Sequence, residues 1–222
     1  MPTPEERDAK AAREHVYRGD LALARAQAET AEAEYRAALA LGGDHGEARL
    51  GLARAQTALG RDLEALASFD ALAELDPERV AALHGAEVCP LLLRAAPRQL
   101  GAGESGRALE LARRARREGC EASAVAPVLA HALSAFAEGV RGSDPERAAD
   151  LYAAAAAADP ADALAFARAG TLLLMLERRE EALTLLSEAL RLHPRDTALQ
   201  ALMVDALAGR VPIVDPFTSS LR

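Results

Sequence analysis

Small and large apolar residues recur along this chain with helical spacing, and the whole pattern recurs at a fixed longer interval. Ala31, Tyr35 and Ala38 return 34 residues later as Ala65, Phe69 and Leu72. Ala148, Tyr152, Ala155 and Pro160 return after the same interval as Ala182, Leu186, Ala189 and Pro194. Steps of four and then three residues mark one face of an α-helix. A fixed period of this size marks stacked repeating units rather than a closed globule.

The pattern predicts helix pairs. The first covers about 5–25 and 29–41, opened by Thr3-Pro4-Glu5-Glu6, a hydroxyl cap followed by proline and carboxylates. The second covers about 46–58 and 62–75, with Gly60 at the turn and Asp76-Pro77 as the stop. A third, irregular pair has a helix at about 79–93 interrupted by Pro90, an insertion near 94–104, and a helix at about 105–118. The fourth spans about 122–139 and 145–158, and the fifth about 161–176 and 179–192. A last helix, about 195–208, is expected to cap the array by packing Leu199, Leu202, Val204 and Leu207 inward and exposing a polar back. Residues 1–208 thus read as one repeat array and 209–222 as an extended apolar tail.

Composition narrows the class. Half of the 222 residues are hydrophobic but only 3% are aromatic, with no Trp. Ala and Leu therefore build the core, and both are strong helix formers. Alternating Val/Ile/Thr-rich runs expected of strands are missing, so the fold is all-α. The net charge of −8 argues against nucleic acid as the partner, because that binding rests on phosphate neutralisation. Arg113, Arg114, Arg116 and Arg117 read as the solvated end of a helix. Cys89 and Cys120 lack metal spacing and fit two reduced thiols, and the acidic amino terminus is no signal peptide. No uninterrupted apolar run approaches the ~18 residues of a membrane span. The expectation is a cytoplasmic protein without direct membrane insertion.

At this point the residues resemble the tetratricopeptide repeat family. The segment from Ala163 to Asp196 places Phe166, Gly170, Leu173, Ala182, Leu186, Ala189 and Pro194 at the large, small and proline positions of that motif. Leu52, Ala53, Gly60, Ala65, Phe69 and Pro77 do so in the second repeat, and Gly19, Ala31, Tyr35 and Ala38 in the first. The resemblance covers about 10–196, with departures at Gly43, Glu87 and Pro90. It implies a right-handed superhelical solenoid of about five helix pairs plus a C-terminal capping helix. It also implies a concave groove lined by the first helices. Mapped onto this chain, the groove positions are Val16, Tyr17, Asp20, Leu50, Arg54, His84, Val88, His131, Ser134, Leu164, Arg168, Thr171 and Leu174, alongside Ala167. The carboxylate clamp with which some family members hold a chaperone's acidic terminus is absent, since Val16, Asp20, Leu50 and Arg54 occupy its positions. An apolar peptide or amphipathic helix suits such a surface.

Chemistry-bearing motifs are missing. The glycine-rich stretch Leu100–Gly106 lacks a preceding strand and the lysine of a phosphate loop. No zinc-protease helix or nucleophile elbow occurs. His84 and His131 have no Cys, Asp or Glu at ligand spacing, so no metal, cofactor or catalytic residue is expected. The apolar tail, Val211, Pro212, Ile213, Val214, Asp215, Pro216, Phe217, is held extended by its prolines. Val211, Ile213, Val214 and Phe217 are its candidate contacts, either folding back on the last repeat or docking on a partner or a neighbouring copy. The expectation is a non-catalytic adaptor that binds another protein. The alternatives are a self-assembling structural subunit, forming a homo-oligomer, and an accessory subunit of an enzyme complex.

Overall fold

A computed structural model describes residues 3–42 and 45–212. All regular structure among them is helical: α1 Pro4–Ala24, α2 Ala28–Ala40, α3 His45–Ala58, α4 Asp62–Ala73, α5 Pro77–Leu83, α6 Cys89–Gly101, α7 Ser105–Arg117, α8 Ala122–Val140, α9 Pro145–Ala158, α10 Ala163–Met175, α11 Arg179–Leu192 and α12 Thr197–Ala208. The chain forms two compact units, residues 1–95 and 96–222, and the division falls within α6.

Side chains start several of these helices by supplying acceptors to otherwise unpaired amides. Thr3 and Glu6 form a reciprocal capping box at α1, with Pro4 behind the cap. Asp76, Asp144, Asp162 and Asp196 cap α5, α9, α10 and α12. Asp76-Pro77 therefore opens α5 as well as ending the helix before it.

Four of the turns within pairs share one geometry. Ala26 (φ 56°), Gly60 (φ 71°), Gly103 (φ 80°) and Glu177 (φ 61°) all adopt the left-handed conformation. At each, the next amide reaches back to the helix: Gln27 to Ala22, Arg61 to Gln56, Glu104 to Gln99 and Arg178 to Leu173, at 2.9 Å in all four. This hydrogen-bonded stop satisfies orphan carbonyls and reverses the chain into the next helix. Glycine takes the conformation freely, whereas Ala26 and Glu177 adopt it at a cost of about 1 kcal/mol or more.

In the first unit, α1 pairs with α2, α3 with α4, and α2 also lies against α3. Its core is organised by Tyr35, which is fully buried with Ala22, Ala31, Leu52 and Ala55. The ring is wedged between two first helices. A Cβ on Gly19 of α1 would sit 2.7 Å from it, and one on Gly51 of α3 only 2.2 Å. The Tyr35 hydroxyl donates to Asp20 Oδ1 at 2.7 Å. Ion pairs then connect each helix pair to the next. Buried Glu32 accepts from Arg61 at 2.9 Å, Glu47 from Arg79 at 2.9 Å, and buried Asp62 from Arg94 at 2.7 Å.

The irregular region departs from expectation. Residues 94–101 are helical rather than an inserted loop, and only Ala102–Glu104 separates α6 from α7. Leu91, Leu92, Ala95 and Ala96 supply the reason, since together they bury one apolar face of α6. Pro90 does not stop the helix either, because a π-helical turn, His84–Val88, widens the backbone just before it. Such a turn gives the proline ring room against the preceding carbonyls.

In the second unit, α7 packs on α8, α8 on α9, α9 on α10, α10 on α11, and α12 on both α10 and α11. Tyr152 repeats the role of Tyr35, with its hydroxyl donating to Glu138 at 2.6 Å. A Cβ on Gly170 would meet Leu186 Cδ2 at 2.9 Å, so α10 and α11 also approach over glycine. α8 is long and apolar enough to cross a membrane by length and composition, even though His131, Ser134 and Glu138 interrupt its apolar run. Val125, Leu129, Ala130, Leu133 and Ala137 of this helix are buried in the core.

α12 corrects the expected cap. Leu199 and Leu202 are fully buried as predicted, but Val204 and Leu207 are 56% and 63% exposed. Turn alignment equates Leu207 with Met175 of α10, itself 58% exposed, so exposure at this position is shared with an inner helix.

Two substitutions test the turn and ring geometry. Ala26→Gly is expected to raise stability by about 1 kcal/mol, seen as a melting temperature roughly 2–4 °C higher. Gly51→Ala is expected to lower stability by about 1–2 kcal/mol, because overpacking against the tethered ring outweighs the helix-propensity gain. In a Tyr35→Leu background the same change should become neutral or stabilising. An equal loss in both backgrounds would refute the ring-contact account.

Candidate functional site

The predicted groove residues divide by burial. Leu50, Val88, Ser134, Thr171 and Leu174 are buried at 8% exposure or less, and Ala167 is buried with them. They belong to the packing between helices and offer no free surface, which corrects that part of the expectation. In a stack, a first helix buries two flanks, so apolar spacing marks packing as readily as a binding face. Val16 is half-buried against the Tyr35 cluster.

The remaining positions reach solvent, several of them already engaged. Tyr17 is 67% exposed and Leu164 41% exposed, and His131 is exposed as well. Asp20 accepts the Tyr35 hydroxyl. Arg54 makes a forked contact to Glu87, with Nη2 to Oε1 at 2.6 Å and Nε to Oε2 at 3.1 Å. That hydrogen bond raises the Arg54 pKa despite the opposing effect of burial. Glu87, which departs from the small residue of the motif, is thereby explained. The pair borders a cavity of about 220 Å³ that also includes Thr57, Ala86, Pro90, Leu91 and Arg94. His84 Nε2 lies 3.4 Å from Cys89 Sγ, and Arg168 lies over the Tyr152 ring at 5.7 Å. Neither cysteine is a free thiol, which corrects the reading of both as reduced. Of the tail contacts, Val211 is exposed, while Ile213, Val214 and Phe217 lie outside the described residues.

A larger recess lies elsewhere, between the second helices α9 and α11. It measures about 760 Å³ and its floor is Phe166 and Leu173 of α10. Its origin is legible in α9, where the run Ala153–Ala158 leaves Ala153, Ala156 and Ala157 facing α11. Methyl groups cannot bridge the two helices, so a gap remains above the floor. Leu185 and Leu192 of α11 form the facing wall.

Charge frames this recess asymmetrically. Among the described residues, Asp150, Glu180, Glu181 and Glu188 border it against the single cation Arg178. Arg178 ties the helices together at one end, reaching Asp150 at 2.9 Å and Glu181 at 2.8 Å. Those partners hold its pKa well above the ordinary value and keep the Glu181 carboxyl below its own. Near Pro160, His193 Nε2 lies 2.7 Å from the Pro160 carbonyl, and the His193 ring is tilted on Phe166 at 6.2 Å. The result is an apolar trough with a mainly acidic border, suited to an apolar side-chain row with basic flanks.

These features define a class: an all-α protein of stacked antiparallel helix pairs with left-handed turns, similar to tetratricopeptide repeats in period and motif. No protein-family model matches the chain, and no curated protein matches it. Among solved structures, the chain is similar to the P58(IPK) TPR domain at 16% identity and a TM-score of 0.37, covering 95% of this chain and 57% of that one. It is also similar to TTC0263, a thermophilic TPR protein of Thermus thermophilus, at 22% identity and 0.35, covering 89% of this chain and 100% of that one. YrrB, a TPR protein with an unusual peptide-binding site, aligns at 23% identity and 0.35, covering 88% and 97% of the two chains. At these values the class rests on the chain's own turns, spacing and helix pairing.

The Tyr152–Glu138 contact supplies a pH test. Burial raises the Glu138 pKa, but hydrogen bonds from Tyr152 and Arg141, with the charges of Arg141 and Arg168, outweigh it and hold the carboxyl below the usual range. A depressed folded pKa contributes stability above the unfolded value near 4.5, and that stability is lost as pH falls through the folded pKa. Glu138→Gln is therefore expected to be less stable than wild type at pH 7, with the difference shrinking progressively below about pH 4.5. Urea unfolding at pH 7, 5, 4 and 3 reads this, and a pH-independent difference would refute it.

Proposed function

We propose that this protein is a non-catalytic interaction adaptor whose second unit holds an amphipathic segment of another protein in the trough between α9 and α11. The observation that carries this reading is an apolar floor of Phe166 and Leu173 under a border of four carboxylates and one guanidinium. A helix or extended peptide would place apolar side chains on the floor and Lys or Arg beside the border. The same acidic excess, with the net charge of −8, disfavours an acidic ligand. First-helix residues Tyr17, Leu164 and His131 remain accessible for a second contact. A cytoplasmic setting remains part of the proposal.

The test uses defined probes and variants at exposed positions. Fluorescently labelled Leu/Lys and Leu/Glu amphipathic peptides of equal length are titrated into the full chain. Leu/Lys is expected to bind at least ten-fold more tightly, with affinity falling as salt rises. Ala157→Trp and Thr184→Trp should fill the trough from opposite sides and each weaken binding about ten-fold, with an unchanged melting curve. Equal binding of both peptides, or no effect of either substitution, would overturn the trough as the working surface.

A further inference from the structure

We infer that the occupant of the α9–α11 trough is an α-helix of a partner protein, about three turns long, with an apolar seam of heptad period and Lys or Arg on either side of it. This rests on the trough reading above and decides between the two ligand forms, helix and extended peptide, that the reading admits.

The first argument is the interval at which the lining repeats. Asp150 and Ala157 face the trough from α9, Phe166 and Leu173 from the floor on α10, and Glu181 and Glu188, then Leu185 and Leu192, from α11. Each of these pairs lies seven residues apart within one helix. Seven helical residues advance about 10.5 Å, or two turns. A helix laid alongside presents its own seam at that interval, so one register serves both walls and the floor. Extended backbone puts same-face side chains roughly 6.8 or 13.6 Å apart, and neither distance matches. From Glu181 to Leu192 the wall runs about 16 Å, which three turns of helix fill.

The second argument is hydrogen bonding. Ala153, Ala156 and Ala157 on one side and Leu185 and Leu192 on the other offer no side-chain donor or acceptor. Extended backbone pressed between them would lose water from its amides without gaining partners, whereas a helix pairs its own. The methyl wall also has a low profile, so a helix backbone can approach α9 while its larger side chains reach the floor.

The third is where the charges stand. Asp150 and Glu181 meet Arg178 at one end, and Glu188, paired with Arg191, stands one heptad further along α11. Glu180 is exposed at the Arg178 end and carries no ion pair among the described residues. Basic residues flanking an apolar seam would lie beside these carboxylates at both ends, as flanking charges do in paired helices.

The experiment titrates the full chain with three fluorescent peptides of identical Leu/Lys/Ala composition and about 14 residues, two heptads. One carries Leu in a heptad seam, and the second has Leu at alternate positions. The third is the heptad peptide with one Ala moved from its end to the middle, which keeps it helical but turns the second half of the seam by about 100°. The heptad peptide is expected to bind at least ten-fold more tightly than either isomer, to gain helical circular dichroism on binding, and to be weakened by Ala157→Trp. Equal or tighter binding of the alternating peptide, still weakened by Ala157→Trp, would overturn the helix and leave the trough as the working surface. Affinity unchanged by the moved Ala would overturn the shared register. Binding by none of the three would overturn the trough reading along with the helix.

Discussion

The architecture depends on how closely a second helix can approach the first helices around it. Tyr35 has room because Gly19 and Gly51 have no side chains, and its buried hydroxyl is satisfied by Asp20. Both conditions are required. Without the glycines the ring would overlap a β-carbon, and without the carboxylate a buried hydroxyl would lack an acceptor, at a cost of about 1–3 kcal/mol. Tyr152 and Glu138 meet the second condition in the other unit, and Gly170 beneath Leu186 meets the first. With so few aromatic residues, each buried ring sets the spacing of several helices around it.

Charge acts on top of this packing and sets register. Glu32–Arg61, Glu47–Arg79, Arg54–Glu87 and Asp62–Arg94 all link equivalent regions of successive pairs in the first unit. The carboxylates of Glu32 and Asp62 are buried, whereas their arginines remain partly exposed. Removing Arg61 or Arg94 would strip a charge-assisted hydrogen bond from a desolvated carboxylate, which is more costly than the intact pair is favourable. These links therefore oppose sliding of one pair over the next more than they add stability. The π turn before Pro90 belongs to the same arrangement, because it carries Glu87 to Arg54 while letting the helix run on through the proline.

Helix positions are legible in the sequence because spacing, caps and breakers agree: Asp144-Pro145 opens α9, and Gly60 occupies the turn before α4. Two kinds of information are hidden. Ala26 and Glu177 adopt left-handed turns without glycine, since the hydrogen-bond pattern of the stop outweighs their local preference. Surface assignment is harder. Leu50, Val88, Thr171 and Leu174 have the spacing of a groove-lining stripe but are buried, because a stacked helix is covered on more than one side. The trough itself is written in the alanine run of α9, a pattern that reads first as helix propensity and only secondarily as missing volume.

Position 202 shows one aligned site serving two kinds of packing. Aligned on the turns, Leu202 of α12 corresponds to Gly19, Ala53 and Gly170, where a small residue admits a tightly packed second helix. Leucine at this position removes that room, and Leu202 is itself fully buried. Its side chain is already enclosed where α12 packs on α10 and α11, so leucine fills at this position the kind of space that Gly170 leaves for Leu186. The size of one side chain at an aligned position thus decides whether a neighbouring helix enters the space or the position fills it itself.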